Sequence, residues 1–508
     1  MKITHSSISQ AVLVTGATGY IGSRLVPRLL AIGVRVKALA RHPEKITSRP
    51  WGMHPNLEIV EGDILESVAL ARAVSDCRVV FYLVHSMRSE VGDFAEADRL
   101  AAGNMVEAAA AVGVRQIIYL GGLGQKSEGL SSHLRSRHEV ADILQTGSVP
   151  VTVLRAAMII GSGSASFEIL RYLVDRLPIM ITPRWIDTPC QPIAVRNVLA
   201  YLVGCLDNQK AMGKVFDIGQ PEILTYRRLM TIYAEEAGLR PRLVIPVPVL
   251  TPRLSSYWIH LITPVPAYLA RPLAEGLKNP VVCLNDEIQE VVPQELLSCR
   301  EAIRRALERL QQHEIESSWT DAGAIPPAEW SIPGDPQWAG GTMFQDGWRL
   351  VLDGTCEDIW NVISRMGGDN GWYYADWLWR LRGWLDRLVG GVGLRRGRRD
   401  DKKLAPGDAL DFWRVVCVAP FEHLLLVAEM KLPGEAVLDF SLHALDGARS
   451  ELIMTARFLP RGLLGILYWY LVSPFHTFVF RGMLNAIGLR TGREIHFGPQ
   501  RIPSSDIG

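Results

Sequence analysis

The chain has 508 residues, more than one ordinary core holds, and 48% of them are apolar, which excludes wholesale disorder. Its 54 basic and 53 acidic residues leave a net charge of +1, so no global field gathers nucleic acid, and nucleic-acid binding is not expected. The seven cysteines are scattered and odd in number, with no C-x-x-C pair; this argues against a disulfide framework or a zinc site, and no metal is predicted.

The first ten residues, MKITHSSISQ, are polar and lack the apolar core of a signal peptide; the expectation is a cytoplasmic protein. Short apolar runs then alternate with helical patterns. Ala11–Val14, Val34–Leu39, Leu57–Val60, Val79–Val84 and Gln116–Leu120 read as strands, with Ser23–Ile32 and Phe94–Val112 as helices. Val151–Leu154 and Val215–Ile218 add two more strands. Strands alternating with helices predict an α/β Rossmann-like, doubly wound parallel sheet.

Eight prolines between Pro241 and Pro280 argue against uninterrupted helices there. Arg300–Gln312 is an amphipathic helix, and the Pro- and Gly-rich Ile325–Gln337 reads as a linker. Beyond it, Trp348–Leu352 is strand-like and Cys356–Ser364 helical. Four further strands, Ala409–Val418, His423–Glu429, Ala436–Ala444 and Ser450–Phe458, precede a long apolar segment, Gly462–Ile487. The order predicts a C-terminal α+β domain with its last helix laid across an antiparallel sheet. That helix is expected to be buried and broken at Pro474. Its near-spanning length leaves peripheral membrane contact open.

The chemistry starts at Thr15-Gly16-Ala17-Thr18-Gly19-Tyr20-Ile21-Gly22, which follows a strand and opens a helix. Glycines allow the tight bend and the close approach of a pyrophosphate, and the helix N-terminus offers N–H groups and a positive dipole end. The second strand ends in Ala40-Arg41-His42, where an NAD site would carry an acid. Arg41 suits a 2′-phosphate, so the predicted cofactor is NADP(H), with NAD(H) the alternative.

Together with Gly62-Asp63, Asn104, Leu154-Arg155 and Ile160-Gly161, this loop resembles the extended and atypical short-chain dehydrogenase/reductases, closest to their NmrA-like branch, over residues 10–310. The resemblance implies that Asp63 and Ile64 meet the adenine and that Leu83, Val84 and His85 line the ribose and nicotinamide. The run Tyr82–Met87 is similar to a group of bacterial two-domain proteins with a poorly characterised C-terminal domain.

The family's catalytic Ser, Tyr and Lys are all replaced. The fifth strand ends Tyr119-Leu120-Gly121-Gly122, without a serine. His133 stands at the tyrosine position and Arg137 at the lysine position. Histidine can act as an acid near neutral pH; arginine can hold ribose but cannot shuttle a proton. Ser131, Ser132 and Tyr119 are weaker candidates. Gly161-Ser162-Gly163-Ser164, as a flexible polar loop, and Thr182-Pro183-Arg184-Trp185 are expected to wall the substrate side.

The predicted division is therefore residues 1–315 as the NAD(P)-binding domain, with substrate-side segments in 155–310, a linker over 316–340, and a domain over 341–498. The last resembles the helix-grip fold of START and birch-pollen-allergen domains, which implies an apolar cavity. The aromatic insertion Gly367–Trp379 is a candidate cavity mouth, and Arg395–Lys403 a basic loop. Two functions compete: an oxidoreductase acting on a hydrophobic small molecule, or a non-catalytic NADP(H)-binding sensor or assembly factor. Oligomeric state is not legible.

Overall fold

The computed structural model describes residues 10–84, 94–125, 130–247, 262–308, 335–336, 339–388, 404–445 and 448–503. It divides into two compact units, Met1–Gly341 and Thr342–Gly508.

The first unit is built on β1 (Ala11–Thr15), α1 (Gly22–Ala31), β2 (Val36–Ala40), β3 (Leu57–Glu61), α2 (Ser67–Val74) and β4 (Cys77–Tyr82). Next come α3 (Phe94–Val112), β5 (Gln116–Gly122), α4 (Ser132–Gln145), β6 (Val151–Ala156) and α5 (Ala165–Arg176). β7 (Ile179–Pro183), α6 (Val195–Gly204), β8 (Val215–Ile218), α7 (Tyr226–Glu236), β9 (Leu243–Val247), α8 (Ala267–Gly276) and α9 (Cys299–Leu307) complete it. Seven strands form one sheet in the order β8-β6-β5-β4-β1-β2-β3, all pairs parallel. The order reverses between β1 and β4, where ligands bind in doubly wound sheets. The alternation of strand side chains separates two cores. Val12 and Val14 pack with Leu25 and Leu29 of α1. Leu13 packs on the other face with Leu70 of α2 and Met105 of α3. Burial pushes the thiols of Cys190, Cys205 and Cys299 up to about 12, as befits cysteines used as small apolar side chains.

Three expectations are corrected here. Pro272 sits inside α8, so the proline-rich stretch does hold a helix. The 161–164 segment is a locked turn and not a flexible polar loop. The Ser162 hydroxyl donates to the Ala306 carbonyl at 3.0 Å and accepts from Arg171 at 2.9 Å. Gly163 N–H donates to Glu168 at 2.9 Å. The end of the expected linker belongs to the first unit as well. Asp335 pairs with Arg24 of α1 at 2.6 Å with both side chains buried, and the N–H groups of Gly340 and Gly341 donate to Glu168 at 2.8 and 3.0 Å. Most of Ile325–Gln337 lies outside the described residues.

The second unit comprises β10 (Phe344–Asp353), α10 (Cys356–Ile363), α11 (Asp376–Leu388), β11 (Ala409–Leu410), β12 (Trp413–Ala419) and β13 (His423–Ala428). β14 (Gly434–Leu445), β15 (Arg449–Pro460), α12 (Gly462–Thr491) and β16 (Ile495–Ile502) follow. The sheet is antiparallel throughout, in the order β11-β12-β13-β14-β15-β10-β16. A capping box between Thr355 and Asp358 starts α10. Trp348, Leu350 and Leu352 of β10 share a core with Met483, Leu484 and Ile487 of α12. α12 runs as one helix through Pro474 and buries only one face, so the expected break and full burial do not hold. α11 and β16 are absent from the sequence reading. The basic run 395–403 lies outside the described residues.

Within this core, His476 Nδ1 faces Asp346 Oδ2 at 3.7 Å, and Asp346 Oδ1 accepts from Arg501 at 2.8 Å. Burial, aided by Arg382 and Arg501, lowers the His476 pKa from 6.5 to about 4. Between those pH values the unfolded chain takes up a proton that the folded chain refuses, so this group's contribution to stability is lost as pH falls from 6.5 towards 4. Asp346 opposes it, because burial raises its carboxyl pKa and the folded chain keeps a proton that the unfolded chain releases above 3.8. His476→Phe should therefore flatten the acid loss of stability between pH 6.5 and 4. Hydrogen exchange of the β10 amides against pH measures it; an unchanged profile refutes it.

Candidate functional site

The β1–α1 turn forms a cradle that only glycine permits. Gly16 has φ +71°, and a Cβ there would lie 2.8 Å from the Leu83 carbonyl oxygen after β4. A Cβ on Gly22 would lie 2.2 Å from the Gly16 oxygen. Gly19, by contrast, is exposed, and a Cβ there would meet nothing closer than 3.2 Å. The outer face of the turn is thus left clear beside the start of α1, as a pyrophosphate requires.

Not every residue of the loop faces that space. The Thr15 hydroxyl is buried, donates to the Phe81 carbonyl at 3.2 Å and accepts from Leu83 N–H at 3.3 Å. It ties β1 to β4 and is engaged within the fold. Thr18 is half-buried beside Gly19. The Ile21 side chain packs on the sheet core, and its carbonyl accepts from Leu25 N–H at 2.9 Å. The Tyr20 ring lies under the Arg24 guanidinium, 4.2 Å from its centroid, and a Cβ on Gly161 would meet the Tyr20 hydroxyl at 2.3 Å. Tyr20 therefore faces the 161–163 turn.

On the adenosine side, Arg41 is exposed at the end of β2, with Nη1 3.7 Å from Asp63 Oδ2. Asp63 also accepts from Leu65 N–H at 3.0 Å. Asn104 of α3 donates to the carbonyls of Ile64 and Leu65 at 3.3 and 3.0 Å, and so fixes this loop. Ile64 is itself buried. Leu83 and Val84 lie half-buried after β4; His85 lies outside the described residues.

At the opposite end, α4 presents His133 and Arg137 one turn apart. The Arg137 stem lies against Gly122, where a Cβ would be 3.5 Å from its Cγ. The three weaker candidates are structural. Ser131 caps α4 through Leu134 N–H, and Ser132 donates to Glu275 at 3.4 Å. Tyr119 is wholly buried, its hydroxyl donates to the Arg137 carbonyl at 3.2 Å, and burial pushes its phenol pKa up.

His133, Gly122 and Ala156 border a cavity of about 570 Å³. Its walls are almost wholly apolar: Ile169, Leu170 and Leu173 of α5, Met180 of β7, and Ala270, Leu273 and Ala274 of α8. Thr182, Pro183 and Trp185 border it too, as the sequence suggested; the Arg184 side chain lies outside the described residues. The α8 wall was missed. Its 270/273/274/277 spacing is helical, but Pro272 within it reads as a breaker.

The parallel sheet and the glycine cradle at its switch point define a dinucleotide-binding α/β protein of Rossmann type. Comparison with known proteins is specific. A family model described as NAD(P)H-binding matches residues 16–171, and one described as a protein of unknown function (DUF2867) matches residues 338–483. The chain is 30% identical over 223 residues to (4-alkanoyl-5-oxo-2,5-dihydrofuran-3-yl)methyl phosphate reductase of Streptomyces griseus, covering 42% of this chain and 70% of that protein. It is 25% identical over 235 residues to ceramide reductase of Caulobacter vibrioides, covering 46% and 72% respectively. Among solved structures it is similar to the triphenylmethane reductase of Citrobacter sp. complexed with NADP(H), at 19% identity and a TM-score of 0.47, covering 58% of this chain and 99% of that one. The chain belongs to the NAD(P)-binding reductase/epimerase-like family that includes the Streptomyces enzyme, and its cofactor is NAD(P)H.

Proposed function

We propose that this protein is an NADP(H)-dependent reductase of a neutral, hydrophobic small molecule bound in the 570 Å³ cavity. The observation that carries the reading is the position of His133 on the wall of that cavity, at the family's acid position. The bound cofactor supplies the hydride for a carbonyl or conjugated double bond. Gly16, Gly19 and Gly22 admit its pyrophosphate, and Arg41 holds its 2′-phosphate. His133 delivers the proton to the reduced substrate and is re-protonated from solvent, to which it is half-exposed. Arg137 keeps the positive charge for the ribose. The apolar walls exclude water and select the substrate. The Streptomyces relative is named for a phosphate ester; among the described residues the cavity lining includes no Lys or Arg, which supports a neutral substrate for this chain.

Following NADPH absorbance with quinones, enones and isoprenoid carbonyls tests the reading. Turnover of one such class supports it. Tight NADPH binding without turnover of any of them favours the sensor reading, which the replaced Ser, Tyr and Lys support. Arg41→Ala is expected to weaken NADPH roughly tenfold to a hundredfold, the value of a charge-assisted contact of about 1.5–3 kcal/mol, and to leave NADH nearly unchanged. Titration of both cofactors measures it. The second unit we read as a helix-grip domain, with α12 as the grip helix against β10, β15 and β16. We place the protein in the cytoplasm.

A further inference from the structure

Two polar atoms on the cavity wall are out of keeping with their surroundings. Thr182 Oγ1, at the end of β7, and Trp185 Nε1, in the turn that follows, are both buried. Among the described residues neither has a hydrogen-bond partner. Both residues border the cavity, and Thr182 is only 7% exposed. A buried polar group left unpaired costs roughly 1–3 kcal/mol. The indole N–H can only donate, and the hydroxyl can donate as well. An oxygen acceptor satisfies both, whereas a cation or an ammonium donor would not satisfy the indole.

We infer that Thr182 and Trp185 form a polar anchor for the ligand, and that the substrate class is an apolar molecule bearing an uncharged oxygen acceptor: a ketone, ester, ether or quinone oxygen. This inference rests on the cavity being the substrate site. The test uses protein saturated with NADP+ and a neutral fluorescent probe, 1-aminoanthracene. Displacement by 2-undecanone is compared with displacement by undecane. Wild type should prefer the ketone about tenfold, and Trp185→Phe with Thr182→Val should erase that preference while keeping affinity for the alkane. A double variant that keeps the ketone preference overturns the anchor but leaves the cavity reading intact. Failure of probe and both ligands to bind wild type overturns the cavity reading, and the anchor with it.

A second observation, in the other unit, is independent of the first. α11 is apolar on two faces. It turns Leu378, Trp379, Gly383 and Asp386 inward, where Trp379 packs on Trp372 and Phe412 and Asp386 accepts from Lys431 N–H at 2.7 Å. It turns Trp377, Leu381, Trp384 and Leu388 outward, with Trp377 63% exposed. The neighbouring α12 exposes Leu464, Leu467, Leu471 and Phe475 while burying Gly465 and Trp469. The two helices meet where Arg382 stacks on Tyr468, 5.7 Å from its centroid. Among the described residues of the two helices the exposed charges are of one sign: Arg380 and Arg387 on α11, with no Asp or Glu in α12. Indole and leucine side chains flanked by arginine match the interface of an anionic bilayer.

We propose that the second unit docks on anionic membrane surfaces through this face. The full chain should co-sediment with phosphatidylcholine vesicles containing phosphatidylglycerol, and less with phosphatidylcholine alone or at high salt. Trp384→Glu combined with Leu471→Glu, both at exposed positions, should cut partitioning at least tenfold with NADPH binding unchanged. Absence of binding to anionic vesicles overturns the proposal. So does a stable dimer that the same double variant dissociates, because a second copy then fills the face.

Discussion

Replacement of His133 by alanine is expected to lower kcat roughly 10²- to 10⁴-fold, the range that a positioned general acid supplies, with the Kd for NADPH changed less than about twofold. The asymmetry follows from the geometry. His133 lies on the cavity wall with Gly122 and Ala156, whereas the pyrophosphate cradle is built from β1, α1 and the segment after β4. The alternatives are closed off around it. Tyr119 is buried with its hydroxyl on a carbonyl, and Ser131 is engaged as a cap. Measuring kcat, KM and NADPH affinity together decides the matter. His133→Tyr, which restores the family's residue, should recover part of the activity with an altered pH profile. Wild-type turnover in His133→Ala would remove the histidine from the chemistry.

Replacement of Asp335 by alanine is expected to cost roughly 3–5 kcal/mol of stability in the first unit, the usual penalty for leaving a buried charge without its partner. Arg24 is buried on α1, with Nη1 3.1 Å and Nη2 2.6 Å from the two Asp335 oxygens. The same guanidinium donates to the carbonyls of Tyr20 at 3.1 Å and Ser162 at 3.0 Å. Losing the carboxylate therefore disturbs both the glycine loop and the 161–163 turn, and NADPH affinity should fall with the melting temperature. Thermal unfolding with and without NADPH tests this. The double variant Arg24→Met, Asp335→Leu should recover part of the stability, because it removes the orphaned Arg24 charge, while the buried Arg49 still loses the attraction of Asp335 and the repulsion of Arg24.

The parallel sheet and its glycine loop were legible because their signals are local. Buried strands read as apolar runs, and the cradle needs glycine at fixed positions. Arg41 was legible for the same reason, as the residue at the end of one strand. What escaped the sequence depends on contacts between distant segments. Asp335 sits in a Pro- and Gly-rich stretch that reads as solvent, and only the fold shows its partner 311 residues away. The tie that the Thr15 hydroxyl makes is visible only once β4 is placed beside it. Proline was over-read twice: Pro272 and Pro474 both lie inside helices. One missing N–H costs a helix less than its packed face contributes. α11 was hidden because apolar residues lie on both of its faces, Leu378 and Trp379 on the core and Trp377, Leu381 and Trp384 outside, so its pattern does not announce one core-facing stripe.

The Glu168 carboxylate accepts backbone N–H groups from Gly163, Gly340 and Gly341, and it sits on the helix that supplies Ile169, Leu170 and Leu173 to the cavity. This arrangement has a practical corollary for dissecting the chain. A fragment truncated at residue 315 would lose two of the three donors to this carboxylate and the counter-ion of Arg24. Its poor behaviour would then say nothing about whether the NAD(P)-binding half is autonomous. A fragment that ends at Gly341 retains the whole clasp, and is the fair unit on which to ask what the second half adds.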